Sequence, residues 1–211
     1  MGGNQGGVRS VGLVILAAGA STRLGRPKQL LPYRGRSLLR HAAETAVGST
    51  CRPILVVIGA HAAELAGEVS DLPVHVVENP RWPRGMGTSL RAGLEALEAV
   101  GPEVGAVVIT LCDQPLLSTA IIDSLVRAHR DSGRPIVASE YGGVLGAPAL
   151  FDRILFGELL TPKDAGGAKE IIARHRADVC SVPFPGGAID IDTPQDYEGL
   201  CGTATERERI A

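Results

Sequence analysis

The sequence predicts an α/β fold in which a parallel sheet is covered by helices on both faces. Short runs of β-branched residues alternate along the chain with Ala- and Leu-rich stretches, which is the pattern of a βαβ series. Two of these runs, Ile54–Ile58 and Ala106–Leu111, are almost entirely apolar, as central parallel strands buried on both faces must be. The length of 211 residues suits one domain of this kind.

The elements follow from local composition in chain order. Strands are predicted where β-branched residues concentrate, and helices where Ala and Leu dominate. The predicted strands are Val11–Ala18, Pro53–Ile58, Val74–Val77, Ala106–Leu111 and Pro135–Ser139, and the helices between them are Ser37–Val47, Ala62–Val69, Thr88–Val100 and Ser118–Asp131.

After Gly142 the alternation becomes less regular. We expect a closing helix at Thr193–Leu200, because Thr193 can cap it, Pro194 suits its first position and Asp196 faces its amide-rich end. A helix is also expected near Ala168–His175, and strands near Val179–Phe184 and Ala188–Asp192.

Composition limits the function classes. A formal net charge of -2 offers no broad attraction for nucleic acid or an acidic membrane. The first apolar run is too short to span a bilayer, and the residues before it do not form a convincing signal peptide. The four cysteines show no CxxC pair, which suits reduced thiols in the cytoplasm. We expect residues 11–201 to form one domain, with disordered tails at 1–10 and 202–211.

A loop with the features of a phosphate cradle follows the first strand, within Leu16–Lys28. Its small residues Ala17–Gly19 let backbone amides approach a phosphate or a base edge, and Arg23 and Lys28 supply positive charge. Ligands of open α/β sheets bind at the carboxyl ends of strands, where this loop lies. It is neither a Walker A nor a G-x-G-x-x-G loop. The alternative interpretation is a Gly-rich turn with two surface cations.

Carboxylates lie directly after one later predicted strand and within another. Asp113 ends a buried strand and is placed to hold a divalent cation that bridges phosphate oxygens. Asp190 and Asp192 share one face of a predicted strand, so that one of them can join Asp113 at the metal. A purely structural role is the alternative for both, and for Asp192 it would be helix capping beside Thr193.

The fourth candidate segment is a Gly-, Pro- and Arg-rich loop that leads into a helix. Gly85 and Gly87 permit close approach of a ligand, and Thr88, Ser89 and the first helical amides can bind a base or a phosphate. Trp82 can stack on a planar ligand, although anchoring of its Pro-rich loop is the favoured role.

Together these motifs resemble those of the nucleotidyltransferases that act on molybdenum cofactor. The matching motifs are Ala-Ala-Gly-x-Ser-x-Arg-x-Gly-x-x-Lys, Gly-Met-Gly-x-Ser-Leu, Leu-Cys-Asp-Gln-Pro and Asp-Ile-Asp-Thr-Pro-x-Asp-Tyr, in this order over Val11–Tyr197. The resemblance implies a three-layer α/β/α sandwich of the nucleotide-diphospho-sugar transferase type, Rossmann-like, with a mostly parallel sheet and one antiparallel strand. Ala17-Ala18-Gly19 is similar to the cytidylyltransferase branch, which uses CTP, whereas Gly-Gly at positions 18 and 19 is typical of the guanylyltransferase branch.

The resemblance also implies residue roles. The resemblance would place the pterin acceptor near two segments, and both depart from the usual family pattern. Gly146-Ala147-Pro148 stands where the family commonly has Gly-His-Pro, and the segment at 163–169 differs from Gly-Asp-x-Gly-Ala-Arg. The implied roles are Ala17, Ala18 and Gly19 against the nucleotide, Arg23 and Lys28 on its phosphates, Gly87 and Ser89 on base and ribose, Asp113 with Asp190 or Asp192 on Mg²⁺, and Gly146, Pro148 and Asp164 near the acceptor.

The resulting hypothesis is an Mg²⁺-dependent transfer of CMP from CTP to molybdopterin phosphate, with Arg23, Lys28 and Asp113 as the catalytic residues. A molybdoenzyme or its chaperone is the expected partner. One alternative keeps the transferase but changes the nucleotide or the acceptor: GTP, a sugar phosphate, a methylerythritol phosphate or a deazaflavin precursor. The other is a nucleotide-binding chaperone that delivers molybdenum cofactor without chemistry.

Overall fold

The computed structural model describes residues 10–161 and 167–200. Its centre is a seven-stranded sheet in the order β5-β4-β1-β6-β8-β7-β9, with β2 and β3 in a separate hairpin. The strands are β1 Val11–Leu16, β2 Pro32–Tyr33, β3 Arg36–Ser37, β4 Ile54–Ile58, β5 His75–Glu78, β6 Ala106–Leu111, β7 Ile136–Tyr141, β8 Val144–Asp152 and β9 Val179–Pro183.

Helices cover the sheet on both faces. Three-residue and four-residue 3₁₀ turns supplement them at Thr22–Leu24, Lys28–Leu30, Trp82–Arg84, Arg153–Leu155, Arg176–Asp178 and Pro185–Ala188. The α-helices are α1 Leu38–Val47, α2 Ala62–Glu68, α3 Met86–Val100, α4 Thr119–Ser132, α5 Phe156–Leu160, α6 Ala168–Arg174 and α7, residues 194–200.

The period of two along β1 divides the core between the two faces of the sheet. Leu13 and Ile15 pack in a cluster with residues of α1, α2 and α4, whereas Val14 and Leu16 pack in a second cluster with residues of α3, α5 and α6. This confirms the predicted three-layer α/β/α sandwich. Strand β8 pairs antiparallel with β6 and β7, and the other neighbouring strands of this sheet pair parallel, so the single antiparallel strand is also confirmed.

One strand prediction is wrong. Residues 185–188 form a 3₁₀ turn, and residues 189–192 have no regular secondary structure. The Pro-Gly-Gly sequence after β9 turns the chain away from the sheet edge, and the segment then attaches to the loop after β6, where the Ile191 amide donates to the Asp113 carbonyl at 3.3 Å. Asp190 and Asp192 are therefore brought to the site by a loop.

The predicted cap of the closing helix is confirmed. The amide of Asp196 donates to Thr193 Oγ1 at 3.2 Å, and Asp196 Oδ2 accepts from the Thr193 amide at 2.8 Å. Because Thr193 caps the helix, Asp192 does not, and the side chain of Asp192 is available for other partners.

Candidate active site

A cleft of about 360 Å³ lies at the carboxyl ends of β1 and β6, where open α/β sheets place their ligands. Its walls are the loop after β1, the loop after β6 and the first turn of α3. It is lined by Leu16, Ala17, Ala18, Gly19, Ala20, Ser21, Thr22, Lys28, Gln29, Trp82, Pro83, Gly85, Met86, Ser89, Leu111, Cys112 and Asp113.

The loop after β1 is tied to the strand beside it. The Ala17 amide donates to the Val57 carbonyl at 2.8 Å, and the Ala18 carbonyl accepts from the Ala60 amide at 3.1 Å. A Cβ added to Gly19 would meet no protein atom within 4 Å, so the surface at this glycine is open. The small residues of the predicted phosphate cradle thus form one wall of the cleft.

A network of ion pairs joins the loop after β1 to the two later acidic segments. Lys28 Nζ contacts Asp113 Oδ2 and lies 3.0 Å from Asp192 Oδ1, and Arg23 pairs with Asp192 Oδ2 at 2.8 Å. The Lys28 and Asp113 side chains are only 16% and 13% exposed, whereas Arg23 is largely exposed. The structure therefore brings together four of the predicted site residues from three distant segments.

These contacts determine the protonation of the network. Burial acts to lower the pKa of Lys28, but Asp113 and then Asp192 outweigh it and hold the pKa above its usual value. Partial burial acts to raise the pKa of Asp192, but Lys28 and Arg23 hold it below its usual value. The lysine is thus charged and the Asp192 carboxylate ionised near neutral pH.

Asp113 and Asp190 are two further carboxylates of interest, because each has unusual surroundings. Asp113 Oδ1 is buried and has no hydrogen-bond partner, an arrangement that is costly for a carboxylate unless a cation or a donor occupies the site. Partial desolvation and the nearby charges of Asp113 and Asp192 raise the pKa of Asp190 to about 6. The orphaned oxygen of Asp113 fits a divalent cation, which prefers carboxylate ligands. Over residues 10–161 and 167–200, no group of three His, Cys, Asp or Glu side chains is arranged to hold a metal ion.

The start of α3 forms the opposite wall. Ser89 is buried and accepts from Asn79 Nδ2 at 3.0 Å, and Thr88 accepts from the same amide at 2.9 Å. Thr88 also contacts the carbonyls of Arg81 and Gly85, so its hydroxyl is fully used within the protein. Of the two hydroxyls, Ser89 is the one that lines the cleft.

Trp82 anchors its Pro-rich loop, the role that the sequence analysis favoured. A Cβ added to Gly59 would lie 2.7 Å from the Trp82 ring, so the indole packs directly on that glycine. The same side chain also lines the cleft. Gly87 is buried in the first turn of α3 and is not part of the cleft lining.

Two of the three predicted acceptor residues lie in the part of the chain that the structure describes. Gly146 and Pro148 belong to β8, and neither lines the cleft. Gln114 connects this strand to the site, because its Nε2 donates to the Ala147 carbonyl at 3.0 Å. Asp164 lies outside the described residues.

Two buried amides were not singled out from the sequence. Gln29 donates to the carbonyls of Ala17 and Gly19, and Asn79 donates to Thr88 and Ser89. Gln29 thus holds the loop after β1, and Asn79 holds the start of α3. The position of Gln29 directly after Lys28, within a loop already assigned to the ligand, was the signal available in the sequence.

Comparison with known proteins identifies the fold and the class of enzyme. Residues 13–179 match the protein family described as the MobA-like NTP transferase domain. The chain is 42% identical over 118 residues to nicotine blue oxidoreductase of Paenarthrobacter nicotinovorans, a match that covers 56% of each chain. It is 29% identical over 197 residues to purine catabolism protein PucB of Bacillus subtilis strain 168, covering 88% of this chain and 93% of PucB.

A solved structure extends the similarity over nearly the whole chain. Rv0371c of Mycobacterium tuberculosis H37Rv superimposes with a TM-score of 0.78 at 30% identity, covering 92% of this chain and 98% of Rv0371c. A second structure of Rv0371c, in complex with manganese, superimposes with a TM-score of 0.73 at 28% identity, covering 90% and 97% of the two chains. In the part of the chain that the structure describes, no helix is long and apolar enough to cross a membrane.

Proposed function

The chain belongs to the family of MobA-like NTP transferase domains, and on that premise we propose that it transfers CMP from CTP to molybdopterin phosphate. Pyrophosphate is the second product. The observation that carries the proposal is the buried pair of Lys28 and Asp113 beside the open loop Ala17–Gly19. A cation and a carboxylate held together at the end of a parallel strand are suited to the charges of a triphosphate.

The choice of CTP rests on the loop after β1. Its Ala17-Ala18-Gly19 sequence is similar to the cytidylyltransferase branch of the family. Ala18 lines the cleft at the position where the guanylyltransferase branch has glycine.

In the proposed reaction an acceptor phosphate oxygen attacks the α-phosphorus of CTP. The bond between that phosphorus and the oxygen bridging to the β-phosphate breaks, and pyrophosphate leaves with the electron pair. The attacking phosphate is already ionised near neutral pH, so the step needs no general base. Lys28 and Arg23 align the phosphates and neutralise their charge, which is the main source of rate acceleration in such transfers.

We propose Mg²⁺ as the metal of this reaction. Asp113, together with Asp190 or Asp192, would hold it, and the unpartnered Oδ1 of Asp113 supports this assignment. Mg²⁺ supplies positive charge to the phosphate oxygens. The manganese complex of Rv0371c supports a divalent cation as the class of metal.

The test is a pyrophosphate-release assay with purified protein and Mg²⁺. CTP, GTP, ATP and UTP are each supplied with molybdopterin, a sugar phosphate, a methylerythritol phosphate or a deazaflavin precursor. We expect release with CTP and molybdopterin above all other pairs. Release with another acceptor would keep the transferase and replace the substrate, and tight CTP binding without release from any pair would favour the non-catalytic chaperone.

The similarity to nicotine blue oxidoreductase favours a second candidate, an oxidoreductase. The match covers 56% of that protein, so its activity is a proposal for this chain. Oxidation of NADH or NADPH in the presence of an aromatic electron acceptor would support it. Absence of such oxidation, together with pyrophosphate release, would exclude it as the main activity.

We also propose that the enzyme works in the cytoplasm and delivers its product to a molybdoenzyme or that enzyme's chaperone. Cys51, Cys112 and Cys180 are free thiols, which is the usual state in a reducing compartment. Co-purification of a molybdoenzyme with the tagged protein would support this partner.

A further inference from the structure

Gln29 is a polar side chain that is only 1% exposed. Its Nε2 donates to the carbonyl of Ala17 at 2.8 Å and to that of Gly19 at 2.7 Å. Its Oε1 accepts from Ser21 Oγ at 3.3 Å, and Ser21 Oγ accepts from the Lys28 amide at 3.0 Å. Both donor hydrogens of the glutamine amide are therefore used on the loop after β1.

These bonds determine which way the loop amides point. The C=O and N–H groups of a trans peptide point in opposite directions, and the peptides of this loop are trans. Because the carbonyls of Ala17 and Gly19 point to Gln29, the N–H groups of Ala18 and Ala20 point away from it. The Ala18 carbonyl faces the Ala60 amide, so the Gly19 N–H points away from Ala60.

The three N–H groups have no acceptor among the residues that the structure describes. All three residues line the cleft, and Ala18 is only 5% exposed. An unpaired N–H at a buried position is costly unless a ligand accepts from it. A group that presents acceptors only, such as a phosphate oxygen or the carbonyl of a base, is what these donors can bind.

We propose that Gln29 is a positioning residue that turns the N–H groups of Ala18, Gly19 and Ala20 toward the nucleotide. The inference rests on the proposed function, because it requires a nucleotide in this cleft. Gln29 itself touches the loop and not the substrate. Its loss leaves the same three donors in the chain but no longer holds them in one direction.

The test compares Gln29→Met with Leu31→Met. Methionine approximates the size of glutamine but donates no hydrogen bond. Leu31 is also 1% exposed and lies two residues further along, but it packs with Leu24, Tyr33 and Leu38. Isothermal titration with CTP and with inorganic tripolyphosphate measures affinity, and thermal unfolding confirms that each variant is folded at the assay temperature.

We expect Gln29→Met to raise the Kd for CTP by about 10- to 100-fold, which corresponds to the loss of one or two hydrogen bonds to the ligand. Leu31→Met should change it by less than about 3-fold, because a volume-conserving swap leaves the loop in place. Gln29→Glu keeps the shape but brings oxygen against two carbonyl oxygens. We expect its affinity loss to be at least as large as that of Gln29→Met.

Amide resonances provide a readout that a merely structural role would not change. In ¹⁵N-labelled wild-type protein, CTP should shift the N–H signals of Ala18, Gly19 and Ala20. These shifts should be lost or much reduced in Gln29→Met at saturating CTP. Wild-type affinity and wild-type shifts in Gln29→Met would overturn the inference while leaving the proposed function in place. Failure of the wild-type chain to bind any nucleoside triphosphate would instead overturn the proposed function.

Discussion

Lys28 is the residue at which the two acidic segments of the site meet. Its ammonium group contacts Asp113 and lies 3.0 Å from Asp192, and little of its side chain is exposed. A single charge compensates the buried carboxylate of Asp113, and in the proposed reaction it would also offer a cation to the phosphates of the nucleotide. Removing it should affect stability and turnover together.

We predict that Lys28→Met lowers kcat/KM for nucleotidyl transfer by about 10²- to 10³-fold, since one transition-state contact is lost. It should also reduce the free energy of unfolding by about 3 kcal/mol, because Asp113 is left without its counter-ion. Steady-state kinetics and urea denaturation measure the two effects. Arg127→Met, which removes an exposed positive charge from α4, is the control and should change neither. Full activity in Lys28→Met would contradict the assigned role.

Asp113 has a buried carboxylate oxygen without a hydrogen-bond partner, and its replacement tests the proposed metal site. We predict that Asp113→Asn, which keeps the size but removes the charge, abolishes most Mg²⁺-dependent turnover and raises the Mg²⁺ concentration needed for half-maximal rate. Titration of Mg²⁺ in the pyrophosphate assay measures both. The exposed Asp131→Asn variant serves as the control. Mg²⁺-dependent turnover at the wild-type level would rule out Asp113 as a ligand.

The described cysteines differ in burial, and we expect them to differ in reactivity for that reason. Burial raises the pKa of Cys51 to about 11 and that of Cys112 to about 12, so both stay protonated at pH 8. The thiolate is the reactive form, and we predict that Cys180, which is only partly buried, reacts with iodoacetamide before Cys51 and Cys112 do. Peptide mapping after brief labelling checks this, with urea-unfolded protein as the reference. Equal labelling of Cys112 and Cys180 in the native chain would contradict it.

At the scale of the elements, α3 approaches the sheet through a glycine. A Cβ added to Gly93 would lie 2.6 Å from Val14 Cγ1 and 2.8 Å from Val57 Cγ2, so the helix contacts β1 and β4 without space for a methyl group. Gly67 in α2 is also helical, but a Cβ there would meet nothing within 4 Å. The two glycines form a matched pair, because only one of them is required by packing.

We predict that Gly93→Ala destabilises the protein by about 1–3 kcal/mol, because overpacking against two strands exceeds the gain in helix propensity. Gly67→Ala should instead stabilise it by about 0.5–1 kcal/mol. Chemical denaturation of both variants provides the measurement. The prediction fails if both substitutions shift stability in the same direction.

The elements also show what local sequence can and cannot predict. The apolar β-branched runs of β1, β4 and β6 were found because each is buried on both faces, and Thr193 marked the start of α7 through its cap. Strand β8 lacks such a pattern, since its exposed and buried positions are irregular near Pro148. Residues 188–192 carry a strand-like alternation, but they pair with no strand in the described part of the chain. Pairing with a neighbour is a non-local property, and composition alone does not contain it.

At the scale of the whole molecule, the site is assembled by the sheet order. The sequence indicated Lys28 on the phosphates and Asp113 with Asp190 or Asp192 on a metal ion, but not the ion pairs of the lysine with Asp113 and with Asp192, which lies 164 positions further along the chain. Their ion pairs depend on β6 lying beside β1 and on the loop after β9 returning to the end of β6. The contacts of Gln29 and Asn79 could not be predicted from the sequence either, because their partners are backbone carbonyl and hydroxyl groups that come close only in the folded loops. Motifs thus located the site, and topology decided which residues meet there.

Ligand binding at this junction should stabilise the molecule as a whole, because one nucleotide would contact the loops after β1 and β6 and the start of α3 together. A ligand present at 100 times its Kd adds about 2.7 kcal/mol, or roughly 5–10 °C in Tm for a chain of this size. We predict such a shift with CTP and Mg²⁺, and a smaller one with CTP alone, because the unpaired oxygen of Asp113 then faces the triphosphate without a cation between them. In Asp113→Asn the Mg²⁺-dependent part of the shift should disappear while part of the CTP shift remains. Differential scanning fluorimetry over a series of nucleotides, with and without Mg²⁺, measures all four conditions. A larger shift with GTP than with CTP would contradict the proposed base preference, and equal shifts with and without Mg²⁺ would contradict the proposed metal.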